Sequence, residues 1–129
     1  MAIMFLLVLS ACSTMRTFSV SERTRVAGND YQSVFNGIVK YCTEQGFSLK
    51  QADRVSGIIE TDMKTSGHTR SKLTFNVSSV NPKITQIVLL ISFQNESSGG
   101  LWTQAGFSEQ EAREQYAQTF SEIEKYIVK

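Results

Sequence analysis

The sequence predicts an α+β domain in which a helix, a four-stranded antiparallel meander and a second helix follow one another, with both helices packed on one face of the sheet. Three observations lead there. Tyr31, Val34, Phe35, Ile38, Tyr41 and Cys42 recur at three- and four-residue spacing, which places one apolar stripe along a helix. Leu73, Phe75 and Val77, and again Ile87, Leu89, Ile91 and Phe93, alternate with period two, as strands do. The segments between them are short and turn-forming, and short connections favour antiparallel neighbours. A chain of 129 residues fits one domain.

The first eleven residues stand apart from the rest. Ala2 to Leu9 is an unbroken apolar run ending on the small residues Ser10 and Ala11, the layout of a signal-peptide core and cleavage site. The run is too short for a helix across a ~30 Å bilayer core, which takes about 20 apolar residues. Leu9-Ser10-Ala11-Cys12 resembles the lipobox of bacterial lipoproteins, an aliphatic residue and two small ones before a cysteine. The resemblance implies a diacylglycerol on the Cys12 sulfur, cleavage between Ala11 and Cys12, and frequent fatty acylation (palmitate and its like) of the new amino group. Two or three acyl chains, at about 0.8 kcal/mol per buried CH₂, hold a protein on a membrane without further help.

In a Gram-negative host, Ser13 in place of Asp after the cysteine implies sorting to the periplasmic face of the outer membrane. No Lys or Arg precedes Cys12, which leaves two readings: a start upstream of Met1, or an unusually minimal leader. The competing view of Met1 to Ala11 is a buried segment of a cytosolic protein with Cys12 in its core. The expected division is thus a leader at 1–11, a lipidated cysteine and tether at 12–29, and one periplasmic domain at 30–129. With Cys12 lipidated, Cys42 has no partner for an intramolecular disulfide.

Ser13 to Asn29 is rich in Ser, Thr and Arg without sustained periodicity, as a tether would be, although Val20 and Val26 are compatible with a short edge strand. The first helix starts at a cap on Asp30 or Asn29 and stops at Gly46. Its stripe buries Cys42, so that thiol reads as packing. Phe47, Leu49 and Gln51 make a short strand, Asp53-Arg54 a turn, and Gly57 to Met63 a second strand. After a turn at Ser66-Gly67 comes the strand carrying Leu73, Phe75 and Val77, broken by Asn81-Pro82.

Ile84 to Phe93 has the strongest β character. One face carries Ile87, Leu89, Ile91 and Phe93, and Val88 and Leu90 make the other face partly apolar, so a central or well-covered strand is expected. Asn95 to Gly106 reads as a mobile loop carrying Leu101 and Trp102. Ser108 and Glu111 stand in capping-box spacing, and Ala112, Tyr116, Phe120, Ile123 and Ile127 form the stripe of the last helix.

The stretch from Val34 to Thr61, with Gly46-Phe47 and then Asp53-Arg54-Val55-Ser56-Gly57-Ile58-Ile59, is weakly similar to a unit in the C component of the outer-membrane β-barrel assembly machinery and in small envelope lipoproteins. That resemblance implies an envelope fold with a scaffolding or protein-association role, and no catalytic residues.

Thirteen Lys and Arg against twelve Asp and Glu, with signs interleaved, give a net charge of +1. This is not the footprint of a nucleic-acid binder. His68 is the sole histidine, sits in a predicted turn and has no metal-ligand spacing. Glu60 and Asp62 share a strand face, a geometry open to acid/base work or cation binding but usual on a wet sheet face. No phosphate loop or nucleophile elbow occurs. The sequence therefore assigns no catalytic or metal-binding residue, no cofactor and no enzymatic activity.

Binding is the better expectation. Val88 and Leu90, on the second face of the strongest strand, and Trp102, in the Gly-rich loop, are the candidate contact residues. Packing under the tether is the competing reading for the aliphatics, and plugging of the core for Trp102. The expected function is a lipid-anchored periplasmic module that associates with another envelope component. Behind it stand an inhibitor or immunity-type lipoprotein that inserts the Trp102 loop into an enzyme and, more distantly, an envelope hydrolase.

Overall fold

The computed structural model describes residues 23–104 and 108–127. In chain order its elements are β1 (Thr24–Ala27), α1 (Tyr31–Glu44), β2 (Leu49–Asp53), β3 (Ile58–Thr61), β4 (Lys64–Ser66), β5 (Thr69–Asn81), β6 (Ile84–Glu96), β7 (Trp102–Gln104) and α2 (Glu109–Glu124). The leader, the lipobox and Val20 lie outside the described residues.

The expected four-stranded meander between two helices is corrected by the sheet itself, which among the described residues has seven antiparallel strands in the order β1-β6-β5-β3-β2, with β4 on β5 and β7 on β6. Among the described residues strand outweighs helix, and a strand precedes the first helix. The spine is the β5–β6 hairpin, whose register runs from Thr69↔Asn95 to Asn81↔Ile84. Strands this long outreach their neighbours, so shorter segments pair along them. The single strand expected over Gly57 to Met63 ends at Thr61; after a break at Asp62-Met63 β4 begins, and β3 and β4 pair with successive stretches of β5. On the far edge of β6, β1 pairs with Thr85 to Val88 and β7 with Gln94 to Glu96. Part of the expected tether is therefore the edge strand β1, and part of the expected mobile loop is β7.

Local chemistry explains the helix ends. The Asp30 carboxylate accepts the Ser33 N–H at 3.2 Å and so caps α1, and the Ser33 hydroxyl donates to it at 2.6 Å. Both bonds favour the ionised form, holding the Asp30 carboxyl below the ordinary aspartate range. At the start of α2 the Glu111 N–H donates to the Ser108 hydroxyl (3.1 Å) and the Ser108 N–H donates to the Glu111 carboxylate (3.4 Å), a complete capping box.

One hydrophobic core joins Val34, Phe35, Ile38, Tyr41 and Cys42 of α1, Tyr116, Phe120 and Ile123 of α2, and the inward residues Ile59, Leu73, Phe75, Val77, Ile87 and Leu89 of the sheet. The segment that follows α2 passes closely over α1. At Gly37 a Cβ would stand 2.9 Å from the Tyr126 carbonyl oxygen and 3.0 Å from the Ile127 side chain.

Candidate functional site

Strand alternation sends Thr85, Ile87 and Leu89 of β6 into the core and Gln86, Val88 and Leu90 to the opposite face. No helix covers that second face among the described residues, and it is here that the sequence-predicted aliphatics lie. Val88 is half-buried and Leu90 is 49% exposed. Across the ladders Val88 pairs with Asn76 and Thr24, and Leu90 with Thr74. Val26, opposite Gln86 and 58% exposed, extends the aliphatic group along the edge. The result is a small apolar patch of Val26, Val88 and Leu90 bordered by Thr24, Thr74, Asn76 and Gln86, with the Lys72–Glu60 ion pair beyond Thr74 on the same face. The described part of the expected tether runs beside β6 and leaves these side chains open.

Trp102 lies on the same face but elsewhere. Its cross-strand partner is Glu96, six residues along β6 from Leu90 and hence ~20 Å away at the usual strand rise. The Arg70 guanidinium covers its ring at 4.5 Å and also donates from Nε to the Gln94 side-chain oxygen at 2.6 Å. Trp102 is thus a half-buried strand residue under an arginine, and the structure does not bring it to the Val88–Leu90 patch. Arg70 was silent in the sequence because its role depends on a register set 24 residues away.

The remaining candidates settle as structural groups. Glu60 accepts from Lys72 at 3.0 Å and lies 3.9 Å from Lys50, and these contacts hold its carboxyl below the ordinary glutamate range. His68 is an exposed turn residue with Nδ1 3.1 Å from a Glu96 carboxylate oxygen. Among the described residues no group of three or more His, Cys, Asp and Glu is placed to hold a metal ion.

The Asp53-Arg54-Val55-Ser56-Gly57 motif is also structural. Asp53 accepts the N–H groups of Val55 (2.9 Å) and Ser56 (3.3 Å), which lowers its carboxyl pKa. Arg54 reaches back to α1, donating to Gln32 at 2.7 Å and Asn36 at 2.5 Å while its guanidinium lies 4.8 Å from the Phe35 ring centroid. Tyr31 donates its hydroxyl to the Arg54 carbonyl at 2.7 Å. The motif pins the β2–β3 hairpin onto the first helix.

Cys42 is fully buried, and burial pushes its thiol up to about 12. It is expected to resist alkylation in the native protein at neutral pH and to react once the protein is unfolded in urea. Rapid native labelling would show that the stripe of α1 opens.

Searches by sequence return no matching family model and no matching curated protein. By structure the chain is similar to the crystal structure of a DUF4468 family protein from Bacteroides ovatus ATCC 8483, with a TM-score of 0.50 and 10% identity over 88% of this chain and 91% of that one. At that identity the likeness concerns the fold alone.

Proposed function

We propose that this protein is a lipid-anchored module of the bacterial cell envelope that holds another envelope protein against the bare face of its sheet. The observation that carries the reading is the exposure of Val26 and Leu90 beside Val88 on a face that no helix covers among the described residues. Aliphatic side chains at the centre of a polar rim are the usual composition of a protein contact. The occupant that suits them is a protein presenting a complementary aliphatic surface, because the three side chains of the patch are uncharged and the neighbouring Lys72 and Glu60 are paired with each other. Trp102, packed under Arg70 in β7, is a secondary contact at the other end of the face. That packing weighs against Trp102 as the tip of an inserting, enzyme-blocking loop.

The anchor rests on Leu9-Ser10-Ala11-Cys12. Such an anchor would confine the module to a membrane surface and raise its effective concentration near a neighbour in the same envelope. Metabolic labelling with a fatty-acid probe is expected to mark the wild-type protein and leave Cys12→Ser unmarked and released from the membrane fraction. Equal labelling of the two would remove the anchor from this account.

A further inference from the structure

On the helix side of the sheet, away from the bare face, the core stops short of the end of the β5–β6 hairpin. Where α1 ends and α2 passes over the strands, a cleft of about 270 Å³ opens. Its floor is Leu73 and Ile91, with the Phe47 ring at its side. Its walls carry the amide side chains of Gln45, Gln115 and Gln118, the Ser71 hydroxyl and the Glu122 carboxylate. Glu122 is only lightly engaged: Tyr41 donates its hydroxyl to one oxygen at 3.3 Å, and Gln118 donates to the other at 3.5 Å. No lysine or arginine lines the cleft itself; Lys64 stands at its edge, where its ammonium donates to the Gln45 carbonyl and lies 5.0 Å from the Phe47 ring centroid, and no cation pairs with Glu122 among the described residues.

We propose that this cleft is a binding site for a neutral saccharide. The donor and acceptor inventory selects the class. An anionic ligand would meet Glu122 with no cation in the lining to offset it. A purely cationic ligand has donors and no acceptors, so the N–H₂ groups of three glutamines would go unmatched on its arrival. A sugar hydroxyl both donates and accepts, and neighbouring hydroxyls span an amide or a carboxylate as a pair. The apolar floor of Leu73 and Ile91 matches the C–H face of a pyranose. The volume falls just under the ~300 Å³ at which small-molecule sites begin, which suits one sugar unit with any further units outside. This site is independent of the protein contact on the opposite face of the sheet.

Saturation-transfer NMR tests it directly, using the folded protein with glucose, galactose, N-acetylglucosamine and maltose as neutral probes, spermidine as a cation and citrate as an anion. At least one neutral sugar is expected to receive saturation at millimolar concentration and to shift the side-chain amide signals of Gln45, Gln115 and Gln118. Gln118 is exposed on a helix, where alanine is well tolerated. Gln118→Ala is therefore expected to fold normally and to weaken binding by about tenfold, the loss of a hydrogen-bonded pair. Leu90→Ser, on the other face, is expected to leave sugar binding unchanged, so failure at one site is read apart from failure at the other. Saturation of spermidine or citrate alone, no response to any sugar, or a sugar response untouched by Gln118→Ala would overturn the assignment.

Discussion

Gly57→Ala is expected to cost more stability than any other conservative change in the chain. Gly57 has φ of +80°, in the left-handed region that L side chains avoid. Its N–H donates to the Asp53 carbonyl at 2.8 Å, and its carbonyl accepts from the Val77 N–H at 2.8 Å. The backbone is thus held from two sides. A Cβ added there would run into the Val77 carbonyl oxygen, a backbone atom of β5 that cannot swing away. Backbone strain of about 1–3 kcal/mol and overpacking of about 1–3 kcal/mol both apply. Thermal unfolding is expected to fall by at least ~10 °C for a domain of this size. Gly67→Ala is the control, because Gly67 also has positive φ (+63°) but open space around its Cβ position. A Gly57→Ala variant no less stable than Gly67→Ala would mean that the hairpin does not dock on β5 as described.

Phe75→Ala is expected to have the next largest effect. Phe75 is fully buried in β5, where its cross-strand partners are the buried residues Ile59 and Leu89. Truncation removes a ring from the middle of the core, at a cost of about 3–5 kcal/mol for a phenylalanine at such a site. Since domain stability is about 5–15 kcal/mol in total, the variant should unfold at much lower urea. The midpoint is expected to fall with an unchanged slope, since the surface exposed on unfolding stays nearly the same. A mild effect would mean that the helices do not close over this strand.

The parts of this fold legible in the sequence are those with length and period. The fourteen-residue α1 and sixteen-residue α2 carry stripes long enough to read, with side-chain caps at both N-termini. The inward faces of β5 and β6 are equally plain. What escaped were β4 and β7, of three residues each, while β1, of four, was legible only as an alternative to the tether around Val26. Too short to show a period, they hold their place through the long edges of β5 and β6, a property of tertiary pairing. The sheet count was wrong for that reason. The bare face was legible, because Val88 and Leu90 break the alternation of β6. Val26 as their neighbour and Arg70 as the cover on Trp102 were not, since both follow from register.

In-cell photo-crosslinking decides whether the bare face holds an envelope protein, as proposed above. A photoreactive residue is placed at position 90, at position 26, or at Glu114, an exposed residue of α2. The same discrete protein adduct is expected from positions 90 and 26, and none from position 114. The position-26 adduct should be lost when Leu90→Ser is added, with Leu90→Ser alone changing stability by no more than about 0.5 kcal/mol, as for a surface site. No adduct at position 90, the same adduct from position 114, or a Leu90→Ser protein whose stability collapses would contradict it.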